Sequence, residues 1–213
     1  MATQNILLEY SAAEFAQRLS SKEPIPGGGG AAAYAGALGV ALGGMVANLT
    51  IGKPRYADIE DDLQGLRTAA TEIQEGLLSL VEKDAEAFAP LSDAYRMASA
   101  TESEKAEKER VMQLCLKDAA LVPLEIMEKS AEALPILEAL ANKGTPLAVS
   151  DAGCGAALLK AAVQAGWLNV RVNTRLIKDE QFAAQVNGRA MDILENSLAF
   201  ADRIYREVEE KLS

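Results

Sequence analysis

Between Pro24 and Lys53 the chain reads PIPGGGGAAAYAGALGVALGGMVANLTIGK, with no charged residue between Glu23 and Lys53. Ala35, Gly39, Gly43 and Ala47 recur every fourth residue, and Gly36 and Gly44 lie on the adjacent track. Residues four apart stack on one helix face, so a helix here carries a stripe of small residues that a second backbone can approach closely. Glycine inside a helix costs about 1 kcal/mol relative to alanine, and close packing or binding has to offset that. The segment is predicted to be the central buried helix of a bundle, ending near Thr50 and fed by a mobile loop over Pro24–Gly30. The backbone N–H groups of Gly27, Gly28, Gly29 and Gly30, with the helix dipole, suit a carboxylate or phosphate. A plain flexible connector also accounts for the glycines.

Other readings of this stretch are weaker. It is long enough to span a bilayer, but it is the only such run. It is also rich in Gly and Ala rather than Leu and Ile, and it carries Asn48 and Thr50. Gly27-x-Gly29-x-x-Ala32 fits the short dinucleotide pattern, yet no strand precedes it. Gly52-Lys53 is not a phosphate loop, because Pro54 replaces the hydroxyl residue and Ala47 the first glycine. No membrane partner is expected.

The chain has 213 residues, enough for one good core, and residues 1–213 are read as a single domain. A net charge of −10 argues against a nucleic-acid partner. With no histidine, Ser-His-Asp and Cys-His machinery is excluded, and two cysteines alone make a poor zinc ligand set. No metal site is expected, and acid–base work falls to Asp, Glu, Lys, Tyr or Cys with shifted pKa values. Cys115 and Cys154 stand in apolar surroundings and are expected to be buried free thiols in a reducing compartment. MATQNILLEY lacks a basic region and a long apolar core, so no signal peptide is expected and the cytoplasm is the default location.

Helical signals fill the rest. Ser11-x-x-Glu14 and Thr101-x-x-Glu104 are capping boxes, the first with Tyr10 and Phe15 as a hydrophobic staple. Phe15 and Leu19 should form the apolar face of the first short helix. Residues 57–99 hold a helical apolar spacing, with Glu60-Asp61-Asp62 in the first turns. Pro90 is expected to kink or break that helix, Pro123 to interrupt the next, and Pro135 to start or bend another. Asn142 to Pro146 is a helix stop, after which Ser150 or Asp151 should cap a helix reaching about Lys178. A final amphipathic helix covers about Glu180 to Lys211. No alternating strand pattern occurs, so the fold class is all-α, a single bundle of long helices.

Asp84 is the acid best placed for chemistry, since it shares a helix face with Leu80 and Phe88. Burial there would raise its pKa toward the working range of a general acid or base; a surface acid beside Lys83 is the plain alternative. Asp151 reads as a cap or as a carboxylate that steers a cation. Arg171, Arg175 and Lys178 share a face and suit an anionic tail, or equally a helix dipole. Asn169 and Asn173 form a second pair four apart. Lys53 and Arg55, at the far end of the central helix, could serve the same tail, and a partly buried Lys53 could move protons.

IPGGGGAAAYAGALGVALGGMVANLTIGK, together with Glu82–Phe88, Ser150–Gly153 and the Asn169-Val170-Arg171 helix, resembles the formiminotransferase-cyclodeaminase C-terminal family along nearly the whole chain. Many members carry Ser or Thr after the third glycine, where this chain has Gly30. The resemblance implies a helical homodimer acting on a tetrahydrofolate one-carbon adduct, with no cofactor beyond that substrate. Asp84 is then the principal acid–base residue, assisted by Lys53 or Asp151. Asn169, Arg171, Asn173, Arg175 and the glycine amides would bind the folate. Hydrolysis of 5,10-methenyltetrahydrofolate is the favoured reaction, because no formiminotransferase domain is fused and Gly30 departs from the Ser/Thr form. Cyclodeamination of 5-formiminotetrahydrofolate is the alternative, and a non-catalytic folate-binding module is a third.

Overall fold

In the computed structural model, which describes residues 7–213, the chain is all-α. Its helices are α1 (Ala12–Leu19), α2 (Gly28–Thr50), α3 (Glu60–Arg96), α4 (Glu102–Lys143), α5 (Val149–Thr174) and α6 (Glu180–Leu212). Short 3-10 turns cover Leu7–Glu9, Pro54–Ile59 and Pro146–Ala148. Residues 1–6, on which the signal-peptide expectation rests, lie outside the described residues.

Both capping boxes form. Ser11 accepts from the Glu14 N–H and Thr101 from the Glu104 N–H, and each glutamate bonds back to its cap. Phe15 is buried but Leu19 is not, so α1 is anchored by one aromatic edge against Tyr34 rather than by both expected residues.

α2 packs against α3, α4 and α5 and forms the centre of the bundle; α6 closes it over α5 and α4. The small-residue stripe is the reason the helices come so close. A Cβ on Gly39 would lie 2.9 Å from the Gly155 carbonyl oxygen, and one on Gly155 would lie 2.6 Å from that of Gly39. Two backbones thus touch where α2 crosses α5. Gly36 faces Ser130 and Ala162, and Gly43 faces Leu137, whereas Gly44 has open space around it. Gly28 meets Asn169, Gly36 meets Ala162 and Gly39 meets Gly155, so α2 and α5 run antiparallel.

Several boundaries differ from expectation. Gly28, Gly29 and Gly30 are not a mobile loop but the first turn of α2. α3 runs unbroken through Pro90, and α4 through Pro123 and Pro135. Pro90 and Pro135 are exposed, so the carbonyls they leave unpaired can be served by solvent; Pro123 is buried and has another solution, described below. Neither Ser150 nor Asp151 caps α5, which begins at Val149 out of the Pro146–Ala148 turn, with Asp151 in its first turn. Cys154 is exposed and Cys115 partly exposed; both are free thiols. The uncharged run in α2 is not alone: Pro146–Thr174 is also long and apolar enough to cross a membrane. About half of each span (56% and 50%) is buried inside the bundle, which accounts for much of their apolar character as core.

Candidate active site

Helix α2 starts without a side-chain cap of its own, since its N-cap is Gly27. Asp84, from the middle of α3, supplies the missing acceptor: its Oδ2 takes the Gly30 N–H at 2.8 Å. The glycine beside it is required by sterics. A Cβ on Gly29 would lie 2.1 Å from Asp84 Oδ1, so the carboxylate rests on bare backbone. Leu80 is buried on one side of Asp84 along the helix and Phe88 partly buried on the other. This burial raises the Asp84 pKa above the ordinary aspartate range, while the Gly30 N–H opposes the shift.

α5 supplies the facing wall. A Cβ on Gly28 would lie 3.0 Å from Asn169 Nδ2, so the glycine turn is wedged between Asp84 and Asn169. A cavity of about 230 Å³ opens there, lined by Pro24, Ile25, Gly27, Gly28, Gly29, Asp84, Phe88, Ala119, Asn169, Val172 and Asn173. Asp84 is the one charged residue among them. Asn169 Nδ2 donates to the Ala165 carbonyl at 2.9 Å, and Asn173 Nδ2 donates to the Ala119 carbonyl at 2.9 Å and the Asn169 carbonyl at 3.0 Å. With Nδ2 so held, each asparagine keeps its Oδ1 for a ligand, and Asn169 keeps one N–H as well.

The structure thus brings together Gly27, Gly28, Gly29, Gly30, Asp84, Asn169 and Asn173, and leaves the other sequence candidates elsewhere. Arg171 and Arg175 are exposed and absent from the cavity lining. Each lies two residues from an asparagine, which turns it about 200° around the helix; the Arg171 guanidinium sits 5.5 Å from the Trp167 ring centre instead. Lys178 pairs with Glu109 at 2.7 Å. Lys53 is exposed at the other end of α2, with Nζ 3.5 Å from Thr145 Oγ1. Asp151 belongs to that same end, because α5 runs antiparallel to α2. The helix rise between Gly30 and Lys53 separates Lys53 from Asp84 by about 35 Å, and Asp151, one turn beyond the Gly39–Gly155 contact, stands about 20 Å away along α2.

Sequence reasoning missed Pro24, Ile25, Phe88, Ala119 and Val172 as wall residues. Phe88 stands four residues after Asp84 and Val172 three after Asn169, so helical spacing could have flagged both. Ala119 reaches the site only through the packing of α4. Among the described residues, no three His, Cys, Asp or Glu side chains converge as a metal-binding group.

The model of the formiminotransferase-cyclodeaminase family matches residues 11–192. The methenyltetrahydrofolate cyclohydrolase of Methylorubrum extorquens is 36% identical, over 93% of this chain and 96% of its own length. The formimidoyltransferase-cyclodeaminase of Mus musculus is 29% identical over 90% of this chain, which spans only 35% of that larger protein. The crystal structure of formiminotetrahydrofolate cyclodeaminase from Thermotoga maritima superposes with a TM-score of 0.80 at 32% identity, covering 97% of both chains. With the family model spanning most of the chain and a relative of 36% identity matched along nearly all of its length, the chain belongs to the formiminotransferase-cyclodeaminase family.

Proposed function

We propose that this protein hydrolyses 5,10-methenyltetrahydrofolate to 10-formyltetrahydrofolate. The observation that carries the reading is the half-buried Asp84 carboxylate, raised in pKa and held against a glycine turn, in a protein similar over 93% of its length to a named methenyltetrahydrofolate cyclohydrolase. The substrate is a cation, so a site whose one charged wall is a carboxylate suits it. Water adds to the methenyl carbon and Asp84 takes its proton. Asp84 then returns a proton to N5 as the C–N5 bond breaks, leaving the formyl group on N10. One water is consumed and one proton released. A raised pKa lets the carboxyl group both accept and return the proton near neutral pH. The reading requires no cofactor beyond the folate, and the cytoplasm is the location that suits it.

Formiminotetrahydrofolate cyclodeamination is the second reading, favoured by the similarity to the Thermotoga maritima enzyme. There N10 attacks the formimino carbon on N5, a proton is taken up and ammonia leaves. Both reactions pass through a tetrahedral carbon between N5 and N10, so one acid–base group serves either. Purified protein mixed with 5,10-methenyltetrahydrofolate should bleach its near-ultraviolet chromophore faster than a no-enzyme control. If the chromophore instead forms from 5-formiminotetrahydrofolate with release of ammonia, the second reading replaces the first. No change in either tube sinks both.

We also propose a homodimer in which each site is shared. The cavity is smaller than the roughly 300–1,000 Å³ of a typical small-ligand site, so part of the folate must extend from it. α2 carries no charged side chain, yet Leu38, Met45 and Leu49 are exposed along its outer face. A second copy packed antiparallel on that face would bury this strip. It would also carry the partner's Lys53, Arg55 and Asp151 end toward Asp84, supplying the cations that the cavity lacks for a glutamate tail.

A further inference from the structure

Pro123 lies inside α4, where a proline has no N–H to give the carbonyl four residues back, that of Ala119. Pro90 and Pro135 are exposed, but Pro123 and Ala119 are both buried, so the Ala119 carbonyl is withdrawn from bulk solvent and faces α5 at the cavity wall. The bond is made from another helix: Asn173 Nδ2 donates to the Ala119 carbonyl at 2.9 Å. α5 can come this close because Gly166 has no side chain; a Cβ there would lie 3.2 Å from the Pro123 carbonyl oxygen and 2.6 Å from Met127 Cγ.

We infer that Pro123 is a positioning residue of the site, which fixes the amide of Asn173 and so determines what the cavity can recognise. With an ordinary residue at 123, a backbone N–H would satisfy Ala119 and the Asn173 amide could turn over or swing away. With proline, the amide nitrogen is held by two carbonyls and Oδ1 is left as an acceptor. Asn169 is locked in the same sense by Ala165. Together with Asp84 the wall then offers three acceptors against the one N–H that Asn169 keeps, which favours a ligand edge that mainly donates, such as ring N–H or exocyclic amino groups. This rests on the folate reading above, where the donating edge is that of the pterin.

The test compares the full-length protein with Pro123→Ala and Asn173→Leu. In 15N-labelled protein the side-chain NH2 pair that vanishes in Asn173→Leu is assigned to Asn173. Pro123→Ala should shift that pair and accelerate its hydrogen exchange about tenfold, the scale of one lost hydrogen bond, with helical content unchanged by circular dichroism. Turnover of 5,10-methenyltetrahydrofolate should show KM raised about tenfold in both variants, with kcat within about twofold of wild type, since the acid–base group is untouched. An unaltered Asn173 amide in Pro123→Ala, or an unchanged KM in Asn173→Leu, overturns the inference. If Pro123→Ala does not fold, the KM of Asn173→Leu and the protection of the wild-type amide decide it. Wild-type protein without turnover defeats the folate reading instead, and the amide exchange still decides whether Pro123 holds Asn173.

Discussion

At the scale of single residues, Asp84 combines two duties that are usually separate. It caps a helix that begins in glycine and has no cap of its own, and among the described residues it is the one carboxylate lining the cavity. The two duties are separable by mutation. Burial holds the Asp84 pKa above its unfolded value. Its contribution to stability is therefore fully present below about pH 4 and is lost as pH rises through the folded pKa. Asp84→Asn removes that loss and keeps an oxygen for the Gly30 N–H. Its melting temperature should exceed that of wild type at pH 7, with the gap closing toward pH 4, while turnover falls at least about a hundredfold. A variant that melts higher and still turns over normally would make Asp84 a cap and nothing more. The neighbouring glycines behave oppositely. Gly29→Ala drives a methyl group into the carboxylate and should cost roughly a hundredfold in kcat/KM. At Gly30 a Cβ would stand 3.6 Å from the Val81 carbonyl oxygen and 3.8 Å from Asp84 Oδ2, ordinary contact distances. Gly30→Ser should fold normally, and its hydroxyl, by donating to Asp84, should lower that pKa. The acidic limb of the kcat/KM profile then moves to lower pH; an unmoved limb separates Asp84 from the rate.

At the scale of elements, the glycines of one helix are not equivalent, and contact geometry sorts them. Gly39 and Gly155 touch backbone to backbone, so Gly155→Ala forces α2 and α5 apart and should destabilise by about 1–3 kcal/mol in urea unfolding. Gly65 in α3 has nothing within 4 Å of a built Cβ. Gly65→Ala should stabilise by about 1 kcal/mol from helix propensity alone. The stripe of small residues, both capping boxes and the end of α2 at Thr50 were legible in the sequence, because local spacing and local hydrogen bonds carry them. The prolines were not. A proline inside a helix reads as a break, and whether the freed carbonyl finds solvent or the side chain of another helix depends on packing that no local pattern records.

At the scale of the whole molecule, the sequence candidates divide between the two ends of the bundle. Asp84, Asn169, Asn173 and the glycine turn stand at one end, and Lys53 and Asp151 at the other. Antiparallel pairing of two copies through α2 would reunite them. Leu38→Glu puts a charge in the middle of that face and should convert a dimer to a monomer in sedimentation, with loss of turnover. Mixed after co-refolding, Asp84→Asn and Asp151→Asn proteins, each inactive alone, should recover about a quarter of the wild-type rate, since half the random dimers hold one intact site of two. No recovery means that the site does not cross between subunits.

The sequence by itself determined the all-α class, the central helix, its small-residue face and Asp84 as the acid to watch. All of these follow from residue spacing along one helix, or from an uncharged run that has to be buried. Only the tertiary structure decided that Asn169 and Asn173 face Asp84 while Arg171 and Arg175 turn away, since a two-residue offset on one helix acquires meaning only from what packs against it. It alone revealed that Ala119 of α4 belongs to the same wall, with Pro123 one turn behind it, because that wall is assembled from α2, α3, α4 and α5, far apart in sequence and joined by close approach at glycine.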